Sequence, residues 1–298
     1  MNLFITGAAG YIGGTVASRL MEAGHRVRGL VRTPQKAADL VRTGIEPVVG
    51  DLDDVALLGR EAQRAEAVIH AASADHAPSV ATFIEALAGT GKPLLHTSGS
   101  SVIGDDAQGN RASERVFDED SSFVIAAAKQ PRRDLELSVL AAADRAVRAA
   151  VICPCLIYGS GRGLNPRSAQ IPFLVDNARQ RGVVQIVGEG ANRWSNVHID
   201  DVAELYLLAL TKAPAGAFYF AENGEASFAE LGAAIGTRLG LRVESLPVEA
   251  AAKAWGDSRA RYTFGSNSRV RAKRARRELG WAPRHTSAVA WVLNEMPL

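Results

Sequence analysis

The sequence predicts an α/β protein, a doubly wound parallel sheet with a smaller C-terminal α/β part. Three observations predict it. Short, β-branched apolar runs alternate with amphipathic stretches from the N-terminus to Cys155. A glycine-rich turn falls between the first such run and the first amphipathic stretch. The chain has 298 residues, 47% hydrophobic and 22% charged, enough to bury a full core without disulfides.

The runs Leu3–Ile5, Val27–Val31, Pro47–Val49, Ala67–Ile69, Leu94–His96 and Val151–Cys153 read as strands. Their continuous rather than alternating apolar character fits strands covered on both faces. Between them, Ile12–Ala23, Gln35–Arg42, Val55–Arg64, Val80–Ala88 and Asp134–Arg148 read as helices. This βαβα order implies a parallel sheet with helices on both sides. After Tyr158 the alternation fades. Segments 160–197 and 222–298 read as helices without regular strands, and Phe218-Tyr219-Phe220 reads as one more strand. The expected division is 1–158 for a nucleotide domain, to which segments such as 190–220 return, and 159–298 mainly for substrate.

Composition excludes several classes. The formal net charge of +2 argues against bulk nucleic-acid binding. Cys153 and Cys155, separated by Pro154, are too close for an easy disulfide and too few for a zinc site, so they are expected as buried thiols. The six histidines show no helical ligand spacing, and no metal is expected. Neither a membrane-length apolar run nor a signal peptide is visible, which leads to the expectation of a cytoplasmic protein.

Thr6-Gly7-Ala8-Ala9-Gly10-Tyr11-Ile12-Gly13-Gly14 follows the first strand and opens the first helix. Gly7 allows the tight turn, Gly10 lets backbone approach a pyrophosphate, and Gly13 lets the helix pack close to the sheet. The phosphates would lie on the free N–H groups of the helix N-terminus, beside Tyr11 and Ile12. That context makes the fold class Rossmann-type and the ligand a nicotinamide dinucleotide. About 20 residues further on, where NAD-binding chains carry a carboxylate, the second strand ends in Arg32, with Lys36 close behind. A guanidinium suits a 2′-phosphate, so NADP(H) is expected. Asp51 and Leu52 after the third strand, and Ala71, Ala72 and Ser73 after the fourth, belong to the same rim of strand ends.

These segments resemble the extended short-chain dehydrogenase/reductase superfamily, the epimerase/dehydratase-like group. The matching residues are TGAAGYIGG at the start, the strand ending LVR, GDLDD at 50–54, IHAAS at 69–73, HTSGSSVIG at 96–104, CPCLIYG at 153–159, NVHIDDVA at 196–203 and LGWAP at 279–283. The resemblance implies a Rossmann domain, a C-terminal substrate part, and cofactor contacts from Ser98 and Pro154. It also implies a Tyr-x-x-x-Lys pair with an upstream hydroxyl, the Lys lowering the Tyr pKa. The chain departs from this pattern. Glu136 lies 18 residues before Pro154, which puts Arg132 at the Lys position and Ala128 at the Tyr position. No Tyr occurs between Tyr11 and Tyr158. Gly99 takes the place of the hydroxyl residue, flanked by Ser98, Ser100 and Ser101.

The candidates for the chemistry are therefore Ser100, Tyr158, Arg132 and Lys129. Arg132 would bond a ribose or an oxyanion rather than act as a base. Loops 100–117 and 158–172 are expected to shape the substrate pocket. Where nucleotide-sugar epimerases of the superfamily carry an Arg, four residues before His198, this chain has Trp194, which favours a smaller or more apolar substrate. His198 reads as structural, and Asp200 and Asp201 as a helix start. Nine basic residues between Arg259 and Arg284 read as a solvated helix face, since no aromatic pattern interleaves them. The reading is an NADP(H)-dependent reductase or dehydrogenase of a small carbonyl or alcohol. An epimerase or dehydratase and a non-catalytic dinucleotide sensor are the alternatives. As partners it expects a small-molecule substrate, no nucleic acid and no membrane, and it leaves room for a homodimer.

Overall fold

A computed structural model describes residues 1–297. Seven strands form one parallel sheet: β1 (Asn2–Thr6), β2 (Arg26–Val31), β3 (Glu46–Val49), β4 (Ala67–His70), β5 (Pro93–Thr97), β6 (Arg148–Pro154) and, later in the chain, β10 (Ala217–Ala221). Their spatial order is β10-β6-β5-β4-β1-β2-β3, every neighbour parallel. The order reverses between β1 and β4. In such sheets ligands bind outside the carboxyl ends of the strands at this switch point.

Helices α1 (Tyr11–Glu22), α2 (Pro34–Arg42), α3 (Val55–Arg64), α4 (Ala77–Leu87) and α5 (Gln130–Ala141) connect the strands. Two begin elsewhere than the sequence suggests. His76 caps α4, its ring accepting the Ser79 N–H, so α4 starts before Val80. Pro131 suits the first turn of α5, which opens before Asp134. The helix expected to run to Arg148 ends at Ala141. One 3₁₀ turn, Ala142–Arg145, and left-handed Ala146 then turn the chain into β6. The carbonyls freed there accept N–H groups of Gly89 and Gly91.

Beyond Tyr158 the chain holds more strand than the sequence suggests. β7 (Leu156–Tyr158), β9 (Arg193–His198) and β11 (Glu225–Ser227) form a three-stranded sheet. β8 (Val184–Val187) pairs with β12 (Val243–Leu246). All but the six-residue β9 are three or four residues long, too short to stand out as patterns. Around them lie α6 (Gln170–Arg181), α7 (Ile199–Lys212), α8 (Phe228–Leu239), α9 (Val248–Trp255), α10 (Asp257–Arg259), α11 (Lys273–Leu279) and α12 (Ala288–Asn294).

Two cores result. The first lies on the seven-stranded sheet and takes in Val197–Ala221 and Val270–Trp281 from later in the chain. The second holds Tyr158, Trp194, Phe228, Trp255, Phe264 and Trp291. Cys153 and Cys155 are free and buried. Among the described residues no helix is long and apolar enough to cross a membrane.

Candidate active site

The β1–α1 turn is built as a cradle. Gly7 has φ +79°, and a Cβ there would lie 2.7 Å from the Ala71 backbone. A Cβ on Gly13 would lie 2.3 Å from the Gly7 carbonyl oxygen. Glycine at both positions brings α1, β1 and the loop after β4 into direct backbone contact. Gly10 meets only the Gly7 oxygen, at 3.1 Å, so its outer side is open. As N-cap it offers no side chain to the first turn of α1, and that turn holds no acid. The free N–H groups and the helix dipole there suit a diphosphate. The residues present therefore fit a dinucleotide. Ile12 is half-buried beside this turn. Tyr11 faces elsewhere: its hydroxyl donates to the Gly159 carbonyl at 2.9 Å and fastens the loop after β7 to α1.

Arg32 and Lys36 are exposed just past the carboxyl end of β2 and form no ion pair among the described residues. Thr33 caps α2 between them. Past β3, Asp51 turns one carboxylate oxygen back to the N–H groups of Asp53 and Asp54, with Leu52 half-buried. Past β4, Ala71 stays bonded to the Thr6 carbonyl, Ala72 is exposed, and Ser73 accepts the Asp75 N–H. The structure thus gathers these residues along the carboxyl rim of β1 to β4. Ser98 and Pro154 are buried instead. The Ser98 hydroxyl makes a short hydrogen bond to Glu136, and Pro154 ends β6 against Ala221.

Of the four catalytic candidates, two meet at the start of α5. Arg132 grips Asp75, from the loop after β4, with two bonds of 2.7 and 2.6 Å, and donates to the Ser101 hydroxyl at 3.1 Å. This guanidinium holds the Asp75 carboxyl below its ordinary range. Lys129 lies three residues earlier, and burial, then the Arg132 charge, lower its pKa. Its ammonium stands 5.2 Å from the centre of the Tyr262 ring. Gly99 faces Arg132, with 3.6 Å between a Cβ built there and the guanidinium. The other two candidates lie apart. Ser100 is buried and bonded to the Ser268 hydroxyl at 2.8 Å. Tyr158 sits in the second core between His198 and Trp291, and its hydroxyl has no partner among the described residues.

A cleft of about 880 Å³ opens beyond β5, and Tyr262 in its wall lies under the Lys129 ammonium. Residues from Ile103 to Phe117 form one wall, as expected for the loop after the fifth strand. Val124, Ala126, Arg261, Tyr262, Asn267 and Arg269 form the rest. Loop 158–172 does not line it; Gly161 and Gly163 pack on Tyr11 and Gly14 instead. Asn267 knits the walls together, bonding Asp105 and the Arg111 carbonyl. The sequence offered no signal for Tyr262 or Asn267, which come from the far end of the chain. Nor did it mark Asp75, an ordinary loop acid until folding sets it against Arg132.

Beneath this site lies a pair of stacked histidines, His70 and His96, with ring centres 5.4 Å apart. His70 bonds the hydroxyls of Thr6 and Ser79. Both nitrogens of His96 lack a partner among the described residues. Burial, then the nearby Arg132 charge, push His96 down to about 4. His198, Asp200 and His285 also cluster within 4.8 Å. There the His198 ring accepts the Asp200 N–H as cap of α7, and His285 is bonded to Asp201. Both imidazoles are engaged in structure.

The model of the NAD dependent epimerase/dehydratase family matches residues 3–219. The chain belongs to that family. With it, the chain falls among the NAD(P)-dependent oxidoreductases and epimerases. It is 34% identical to oxidase ucsJ of an Acremonium species, over 94% of this chain and 92% of that protein. It is 29% identical to 2-alkyl-3-oxoalkanoate reductase of Stenotrophomonas maltophilia, over 76% of this chain and 71% of that protein. In fold it matches dTDP-glucose 4,6-dehydratase of Bacillus anthracis, solved with NAD, at a TM-score of 0.76 and 18% identity. That match covers 99% of this family member and 97% of the dehydratase.

Proposed function

We propose that this family member is an NADP(H)-dependent reductase of a small carbonyl compound, acting as an alcohol dehydrogenase in reverse. The observation that carries it is the cleft beyond β5, in whose wall Tyr262 lies with its ring centre 5.2 Å from the Lys129 ammonium at the start of α5. When bound, the nicotinamide would supply or accept the hydride; Gly7, Gly10 and Gly13 would hold its diphosphate.

The preference for NADP(H) rests on Arg32 and Lys36, exposed and without ion-pair partners among the described residues, where a carboxylate would otherwise hold the ribose. The cleft favours a small acyl chain bearing a carboxylate, for which a 3-oxo acid is the natural carbonyl form. Phe117, Val124 and Ala126 offer apolar wall, and exposed Arg115, unpaired among the described residues, offers a guanidinium. The 3-oxoalkanoate substrate named for the Stenotrophomonas relative supports this class. A nucleotide sugar is disfavoured. Trp194 is buried with its indole N–H on the Ser266 carbonyl, and Arg193 is taken up by Glu225 and Glu230.

The test is nicotinamide absorbance with 3-oxooctanoate and either NADPH or NADH. Steady oxidation of NADPH, faster than of NADH, is expected. Arg32→Asp should lower the NADPH preference by roughly tenfold or more, as loss of one charge-assisted pair implies. No oxidation of either cofactor, with interconversion of a hexose nucleotide and no net absorbance change, would replace this reading with epimerisation.

A further inference from the structure

We propose that Arg132, aimed by Asp75 into the gap at Gly99, is the donor that holds the substrate's carbonyl oxygen. The inference deepens the carbonyl-reductase reading and rests on it. Arg132 is then a catalytic residue, and Asp75 is a positioning residue that acts through it.

The gap comes first. Gly99 lies just past β5 and opens the 3₁₀ turn Ser100–Ile103. It is half-buried, and its φ of −165° is extended backbone that calls for no glycine. A Cβ built on it would have one neighbour within 4 Å beyond the adjoining residues, Nη1 of Arg132 at 3.6 Å. What the missing side chain leaves is open space with a guanidinium as its wall. The far end of the same turn, Ile103 and Gly104, belongs to the cleft. A 3₁₀ turn of this length spans about 8 Å, so an acyl chain lying in the cleft reaches Gly99 with its carbonyl.

The mounting of the guanidinium is the second observation. Arginine carries five N–H donors and no acceptor. The Nε and Nη2 groups of Arg132 donate to the two carboxylate oxygens of Asp75 at 2.7 and 2.6 Å. Such a fork fixes the guanidinium plane. Nη1 donates to the Ser101 hydroxyl at 3.1 Å and keeps its second N–H for the gap. The Asp75 side chain is 59% exposed, and a pair so open to water adds little stability. What it adds is direction. The loop that carries Asp75 starts at Ala71, whose backbone packs on Gly7, and ends at His76, the cap of α4. The arginine is thus set from the same rim that cradles the diphosphate. Charge suits an oxyanion here. Asp75 offsets one cation, and Lys129 stands near enough for its charge and that of Arg132 to act on each other.

The chemistry balances with water as the proton source. A carbonyl oxygen in the gap accepts the free Nη1 N–H. As a hydride from the reduced nicotinamide bonds to the carbonyl carbon, the C=O π pair moves onto that oxygen. The charge-assisted bond to Arg132 strengthens as the oxygen becomes negative. Arg132 gives up no proton. The alkoxide takes one from water, hydroxide leaves to solvent, and the alcohol is the product.

Gly99→Ala tests the gap. Its methyl would sit at an ordinary contact distance in extended backbone, so the melting temperature and NADPH binding by fluorescence should not change. Calorimetric binding of 3-oxooctanoate to the protein loaded with oxidised NADP should weaken by roughly tenfold or more. With NADPH, kcat/KM should fall by about 100-fold. Arg132→Ala should lower kcat by about 100-fold or more, and added guanidinium should restore part of it. That rescue should vanish when Asp75→Asn is combined with Arg132→Ala, which a merely structural bridge would not produce. Full kcat/KM in Gly99→Ala, or a rescue indifferent to Asp75, overturns the proposal. Binding that Gly99→Ala weakens, in a protein that reduces no 3-oxo acid, overturns the reductase reading and leaves the oxygen site standing. No binding of the 3-oxo acid overturns both.

Discussion

His96 is a titratable side chain packed where a charge cannot be solvated. It is fully buried, stacked on His70, and close to the Arg132–Asp75 pair. An unfolded His takes up a proton near 6.5, whereas this one waits until about 4. Between those values the unfolded chain holds more protons, so stability rises with pH there and is lost as pH falls from 6.5 towards 4. The cost for His96 is on the order of 3 kcal/mol. Urea unfolding at both pH values should show that loss shrinking in His96→Leu. An equal loss in the variant would place the pH sensitivity elsewhere. Individual residues were the least legible scale of the sequence. Arg132 and Lys129 stood out as departures from a motif, but nothing marked His96, Asp75 or Tyr262. Their roles come from neighbours far away in the chain, and Ser100, adjacent to the expected position, is closed off by Ser268.

Elements were far more legible, because each is governed by local pattern. The helix starting at Pro34 and the one starting at Val55 begin at side-chain caps, Thr33 and Asp54. The turn at Leu279-Gly280-Trp281 ends α11 with left-handed Gly280 and buried Trp281, as the sequence suggests. Glycines within elements divide by what surrounds them. Gly13→Ala would press its methyl into the Gly7 backbone, which cannot give way. It should cost about 1–3 kcal/mol and weaken dinucleotide binding, read by urea unfolding and NADPH fluorescence. Gly59, inside α3, has only Thr82 near, at 3.9 Å. Gly59→Ala should therefore stabilise by about 0.5–1 kcal/mol. If both changes act alike, backbone contact is not what fixes glycine at position 13. Pattern reading failed where local signals were weak. The 3₁₀ turn after α5 continues a helical-looking sequence, and the three- and four-residue strands of the C-terminal part carry too few residues to show a period.

At the scale of the whole molecule, charge is spent on joining the parts. The basic stretch from Arg259 to Arg284, expected as a solvated face, is largely paired with acids from distant segments. Glu225 receives Arg193 and Arg269 at 2.7 and 2.8 Å, while Asp118 and Asp120 take Lys273 and Arg274. Glu119 accepts the N–H groups of Phe220, Lys273 and Arg274. Since the Glu225 side chain is only 13% exposed, its pairs are poorly screened by solvent. Glu225→Gln would leave three guanidiniums, those of Arg193, Arg269 and Arg271, facing a neutral amide. A loss of about 2–4 kcal/mol is expected, with faster proteolysis around residues 259–284 at unchanged secondary structure by circular dichroism. A variant as stable as the parent would reduce these bridges to surface decoration.

By itself the sequence determined the Rossmann sheet, the glycine cradle and the basic end of β2, since each depends on residues close together in the chain. Strand burial, helix capping and the close approach at Gly7 and Gly13 are local demands, and they leave local traces. Only the tertiary structure decided which groups face the cleft. It carries Tyr262 and Asn267 across more than a hundred residues to Lys129 and Asp105, and it buries Tyr158. A side chain's direction is set by packing between elements, and packing has no period that a sequence can show.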